Sequence, residues 1–184
     1  KKFADGGEVI VWETGRAGEE AASYENLFLR KEIAGFRTNI RREQSCSIKS
    51  LTRDYLYKQL LSSGEYTFDH MLVIKDPYGE APLTALALFI LEEPACVRVT
   101  TKGNLKETDF VTELPKKKEH RVPILGMYAE KANDIVIEIL DDEGNCVKSH
   151  TFTIRTKRLP KSLRNVITVK KWTDKPAYSN IMIN

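Results

Sequence analysis

The chain has 184 residues, 41% of them hydrophobic and 30% charged, with 29 basic against 26 acidic side chains and a net charge of +3. That composition supports a packed core and excludes wholesale disorder. So even a balance argues against a nucleic-acid footprint, and no apolar run approaches the roughly 18 residues of a membrane span.

Lys1-Lys2 leads into Phe-Ala-Asp-Gly-Gly, so no signal peptide is read here, and a chain opening on lysine is expected to be a trimmed or mature form. Val9-Ile10-Val11-Trp12 reads either as a strand or as the remnant of an upstream segment. From Glu19 to about Arg42 the spacing of Ala22, Leu29, Ile33, Phe36 and Ile40 predicts an amphipathic helix. Acidic residues in its first turn and arginines in its last suit the helix dipole, and Gly35 weakens its middle. A second helix is predicted from near Ser50 to Leu61, carrying Ile48, Leu51, Tyr55, Leu56 and Leu60, capped by Ser47 or Ser50 and stopped at Ser62-Ser63-Gly64.

Beyond Gly64 the pattern turns to strands. Met71 to Ile74 ends at Asp76-Pro77-Tyr78-Gly79, where proline presets φ and glycine accepts a positive one. Pro82 admits a strand from Leu83 to Leu91 that is apolar on both faces, so it must be covered twice: once by an opposing sheet, once by the upstream helices or a missing neighbour. Val97 and Val99 alternate with Arg98 and Thr100, and Lys102-Gly103-Asn104 turns. Phe110 to Leu114 gives a further strand, and Pro115 to His120 reads as a charged loop. Ile135, Ile137 and Ile139 alternate, and Asp141 to Asn145 closes a hairpin into Val147 through Thr156. Six or seven short strands at such spacing predict an antiparallel sandwich. Past Leu159-Pro160 the sequence is basic and reads as a linker.

Candidate chemistry is sparse. His70, His120 and His150 lack the spacing of a metal or acid–base pair and are read as structural or solvated. Asp141-Asp142-Glu143 lacks the alternate-residue acids of a calcium loop and is read as turn chemistry. Lys116, Lys117, Lys118 and Arg121 are read as a solvated basic run, with binding of a sulfate ester as the sharper alternative. No nucleophile elbow or phosphate loop is present, so no cofactor is expected. Cys46, Cys96 and Cys146 leave room for one disulfide at most.

The order and spacing of five motifs carry a family resemblance over about residues 65–160. They are Asp76-Pro77-Tyr78-Gly79 with Ala81 to Leu86; Val97-x-Val99-x-x-Lys102-Gly103; His120-x-Val122-Pro123-Ile124-x-Gly126-Met127-Tyr128; Asn133-x-Ile135-x-Ile137-Glu138; and Phe152 to Thr156 before Leu159-Pro160. Together they resemble the N-terminal β-sandwich domain of bacterial arylsulfate sulfotransferases. The resemblance implies a fold: an Ig-like antiparallel sandwich of about seven strands, preceded by one or two helices. It also implies a layout, with an N-terminal extension over 1–64, the sandwich over 65–160, and over 161–184 a linker toward a C-terminal β-propeller.

The parent enzyme so implied moves a sulfuryl group from a phenolic sulfate ester to a phenol through a sulfohistidine in the propeller, without a nucleotide donor. No catalytic role carries over to His70, His120 or His150. The sandwich is then a non-catalytic domain whose partners are its own propeller and a second copy, in an extracytoplasmic setting (periplasmic, secreted or envelope-attached). Lys117 and Tyr128 are the candidate contacts to the aryl ester. The alternative is a free-standing Ig-like module of the cell surface that binds carbohydrate or protein.

Overall fold

The computed structural model describes residues 1–3, 6–25 and 42–159, with side chains from Ile48 onward in the third stretch. Its elements in chain order are β1 (Glu8–Trp12), α1 (Thr14–Ala22), α2 (Arg42–Ser62), β2 (His70–Lys75), β3 (Ala85–Thr101), a 3-10 turn (Lys106–Thr108), β4 (Phe110–Ile124), β5 (Ala132–Leu140) and β6 (Cys146–Arg155). The six strands form one mixed sheet. Two of them, β1 and β2, run parallel from the pair Glu8 with His70 to the pair Trp12 with Ile74.

Strand β3 organises this sheet. One edge of β3 pairs with β4 at both its ends, while its other edge takes β2 at Ala85–Leu88 and β5 at Cys96–Thr101. The register slips between Ile90 and Ala95 and again between Ala95 and Val97. A bulge increases twist and bends a strand, so the long β3–β4 hairpin folds over on itself. Two layers result, β1-β2-β3-β4 and β6-β5-β3-β4, joined through the bend.

Between the layers lies the main core, with Met71, Val73, Ala85, Ala87 and Phe89 opposite Val97, Val99, Ile135, Ile137 and Ile154. The other face of the first layer carries Leu72, Ile74, Leu86 and Leu88, and these pack under Ala17 and Ala21 of α1 and Leu56, Tyr57 and Leu61 of α2. Both covers predicted for the doubly apolar strand are therefore present, and the second is the pair of helices. Helix α2 ends as its sequence predicts: Gly64 is left-handed at φ +72 and donates to the Leu61 carbonyl at 3.1 Å.

Several expectations are corrected. The sandwich of about seven antiparallel strands is six strands in a near-closed mixed sheet, because Leu83–Leu91 and Val97–Thr100 belong to one strand. Pro82 and Leu83 lie in the turn before that strand, with Thr84 N–H donating to Ala81 O at 2.9 Å. The charged loop Pro115–His120 lies inside β4, whose outer edge has no partner strand among the described residues. Proline and lysine are tolerated on such an edge because its outward backbone groups face water.

The helix expected from Glu19 to about Arg42 is not continuous: α1 runs from Thr14 and ends at Ala22, a turn follows at Ser23-Tyr24, and its buried face is carried by Ala17 and Ala21 while the expected stripe residue Ala22 is exposed. Helix α2 begins at Arg42, which places the proposed caps Ser47 and Ser50 inside it. Leu51 of its expected apolar stripe is exposed, and Thr52 is buried instead. The stripe residues Leu29, Ile33, Phe36 and Ile40 and the basic segment after Leu159 lie outside the described residues.

Replacing Leu88, fully buried against the helices, with alanine is expected to cost about 2–5 kcal/mol. Urea unfolding of the two proteins measures it.

Candidate functional site

The Asp76-Pro77-Tyr78-Gly79 turn is built by its own residues. Asp76 takes φ +46 and Gly79 φ +81. The Gly79 N–H donates to Asp76 O at 3.0 Å, and the Asp76 carboxylate accepts the Ala81 N–H at 2.9 Å. What holds the turn in place is helix α2. Arg53 and Tyr57 both donate to the Pro77 carbonyl, and Arg53 also reaches Thr14 Oγ1 at 3.3 Å, which ties α1 into the same contact.

Tyr78 donates its hydroxyl to Asp54 Oδ1 at 2.7 Å, and Arg121 from β4 donates to that same oxygen and to the Tyr78 hydroxyl. Burial, followed by the Asp54 hydrogen bond, pushes the Tyr78 phenol up to about 12. Burial likewise raises the phenol of Tyr57. Both hydroxyls are neutral donors at physiological pH, suited to fastening a turn and unsuited to proton transfer.

A second cluster closes the open side of the sheet, where β6 faces β1 and β2. His150, buried on β6, donates from Nε2 to Asp69 Oδ1 at 2.8 Å. Its ring is stacked between Phe3, 3.9 Å away by centroid, and Phe68 at 4.6 Å. Lys148 reaches Asp69 Oδ2 at 2.6 Å, and first this bond, then that of His150, holds the Asp69 carboxyl below its ordinary range. His70 Nδ1 lies 3.0 Å from Glu8 Oε1, with its ring stacked on Tyr66.

His120 sits apart, buried at the bend. It donates from Nε2 to Lys117 O at 2.8 Å and stacks on Phe89. Burial pushes its pKa down, against the smaller opposing effect of backbone contacts to Lys117 and Ala95. The three histidines thus occupy separate contacts. Among the described residues no group of acids, histidines and cysteines is arranged to hold a metal ion.

Lys117 is exposed at the bend, paired across the ladder with Ala95. Tyr128 lies past the other end of β4, with Lys131 Nζ 4.9 Å from its ring centroid. The fold separates the two. Lys116 pairs with Asp142. The Asp141 carboxylate caps its own turn, accepting the Glu143 and Asn145 N–H groups at 2.9 and 2.8 Å. The Asn145 side chain, then its backbone, lowers the Asp141 pKa. Cys96 and Cys146 are free thiols.

Sequence reasoning gave no role to Asn133, which proves central to the loop after β4. It is buried, accepts the Tyr128 N–H at 2.7 Å, and donates to the Tyr128 and Lys131 carbonyls at 3.1 Å each. Its place in the Asn-x-Ile-x-Ile motif was the available signal. Asp69, Arg53, Asp54 and Tyr57 carried none, because their partners are distant in sequence.

The class that fold and contacts define is a β-rich domain of six strands in one near-closed mixed sheet, stabilised by turn and seam contacts. Residues 72–157 match the family model of the arylsulfotransferase Ig-like domain. This stretch, from β2 to just past β6, is what the family model matches, and its span includes the turn fastened to α2 and the bent hairpin. No curated protein and no solved structure matches the chain.

The His120 shift has a defined sign. Its folded pKa lies below the ordinary 6.5. Between that lowered value and 6.5 the unfolded chain binds the proton and the folded chain does not, so stability rises with pH there and levels off above it. The expected result is that His120→Gln flattens the rise in urea midpoint between pH 5 and 7 relative to the parent chain.

Proposed function

We propose that this chain is the non-catalytic N-terminal part of an arylsulfate sulfotransferase, serving to pack against a following β-propeller or to assemble a dimer. The parent reaction would move a sulfuryl group from a phenolic sulfate ester to a phenol through a propeller histidine. The observation that carries this reading is the family match over residues 72–157, together with the engagement of His70, His120 and His150 in separate structural contacts. A nucleophilic histidine needs an accessible ring and a substrate path, and the rings of His120 and His150 are buried.

In this proposal residues 1–64 supply the helical cover, 65–160 the sandwich and 161–184 the connection to the propeller. The setting is extracytoplasmic, as the family resemblance implies; no helix among the described residues is long and apolar enough to cross a membrane. Lys117 and Tyr128, if they meet an aryl ester in the parent enzyme, do so as two separate contacts, since β4 holds them apart.

A second reading, a free-standing Ig-like binding module of the cell surface for carbohydrate or protein, draws on one observation. A cleft of about 670 Å³ opens at the bend end, with Leu91, Ile139 and Val147 beside Glu92 and Glu93. Its size suits a small ligand. Reading the gene beyond Asn184 separates the two: a histidine-bearing propeller favours the first, further sandwich repeats the second.

The direct test uses the purified chain with 4-nitrophenyl sulfate and phenol. The expected outcome is no release of 4-nitrophenol above the uncatalysed rate. Turnover by the isolated chain would refute the non-catalytic reading.

A further inference from the structure

The cleft at the bend end is a product of the irregularity in β3. Pairing with β4 stops at Ile90 and resumes at Ala95, so Leu91 to Pro94 have no ladder partner there. On the other edge β2 pairs no further than Leu88 and β5 begins at Cys96, which leaves the same stretch unpaired on both sides among the described residues. Glu92, Glu93 and Pro94 are exposed in it. They border a space of about 670 Å³, with Phe68 and the β5–β6 turn on its other sides. Its floor is the end of the main core: Leu91 and Phe68 belong to that core, and Ala95 and Ile139 pack against it half-buried. Val147, 67% exposed, adds an apolar wall.

The charges around this floor are unequally engaged. Both cations of the lining are already paired, Lys116 with Asp142 and Lys148 with Asp69. The Asp141 carboxylate is used by the amides of its own turn. The Glu92 and Glu93 carboxylates, by contrast, have no hydrogen-bond or ion-pair partner among the described residues. The spare charge beside the apolar floor is therefore negative. Phe68 is the one aromatic residue among the described residues that lines the cleft, and its ring meets Phe89 edge-on at 5.3 Å and His150 at 4.6 Å. With Phe68 buried, no ring face is left on which a sugar or a quaternary ammonium could stack.

We propose that this cleft binds a primary ammonium group carried on an apolar body, the class of arylalkylamines and long-chain alkylamines. The apolar body lies against Leu91, Ile139 and Val147, and the ammonium donates to Glu92 and Glu93. An ammonium offers three donors and an ionised carboxylate only acceptors, so the pairing is complementary in charge and in hydrogen bonding. The volume falls within the range of small-ligand sites. An aryl sulfate, being anionic, is repelled by the same two carboxylates, so this site is separate from the chemistry of the parent reaction. The proposal rests on the reading of this cleft as a ligand site and is independent of whether a propeller follows.

The experiment titrates the purified 184-residue chain with 4-phenylbutylamine, 4-phenylbutan-1-ol and 4-phenylbutanoate at neutral pH. These share one apolar body and differ in charge. Nitrogen–proton correlation spectra follow the backbone amides. The amine is expected to shift the Glu92, Glu93, Ala95 and Val147 amides saturably and to bind about tenfold or more tightly than the alcohol, while the carboxylate gives no saturable shift. Glu92→Gln combined with Glu93→Gln, at two exposed positions, is expected to bring the amine to the affinity of the alcohol and to leave the alcohol unchanged. Val147→Ser is expected to weaken both by a similar factor, since it removes apolar wall and no charge. Equal or tighter binding of the alcohol or the carboxylate, or an amine affinity unmoved by the paired Gln substitutions, would overturn the ammonium assignment while leaving a ligand site. Absence of saturable shifts at the cleft with all three probes would overturn the assignment and the cleft reading together.

Discussion

From Ala85 to Phe89, β3 presents no side chain to water. Alternate residues enter two separate cores, one between the sheet layers and one beneath the helices. A strand buried on both faces cannot lose either cover without exposing a continuous apolar strip. That constraint explains why α1 and α2 are bound to the sandwich, and why the Asp-Pro-Tyr-Gly turn, leading toward β3, is fastened to α2. Tyr57 belongs to the helix-side core and also donates to the turn through its hydroxyl. Packing and polar contacts therefore hold the same junction.

The bend in β3 and β4 makes the second layer, and the seam contacts complete it. Folding a hairpin over brings β6 back toward the edge of β1 and β2, where the two strands do not pair. Asp69, held by His150 and Lys148, bridges that gap, and Phe3 fills it with an aromatic ring. A carboxylate bound by two donors, one of them a buried histidine ring stacked between aromatic rings, makes a geometrically specific fastening. In this arrangement the histidines serve the fold. The accessory role proposed above draws on this engagement of all three histidines in structural contacts.

Much of this was legible from residue pattern. The double apolar face of Leu83–Leu91 announced two covers, Gly64 marked the end of α2, and Asp141 to Asn145 marked the tight hairpin. Local chemistry decides each of these. The continuity of β3 through Glu92-Glu93-Pro94 was not legible, because proline and acids lower strand preference and only the bulge accommodates them. Pro115 to His120 hid a strand for a related reason, since an edge position tolerates lysine and proline. The short helix α1 was hidden by alanine and glycine, whose hydrophobic signal is faint. The pairing of Asp69 with His150, and of Arg121 with Asp54, depends on topology that spacing along the chain does not encode.

The central claim is that the helices and sandwich share one cooperative unit through β3. Native-state amide hydrogen exchange measures this most directly, because it reports the opening free energy of each element separately. The account predicts that the Leu56–Leu61 amides of α2 and the Leu86–Phe89 amides of β3 exchange with the same opening free energy, at the level of global unfolding. Rapid exchange throughout α2 while β3 stays fully protected would contradict it, showing the helices to be an appendage.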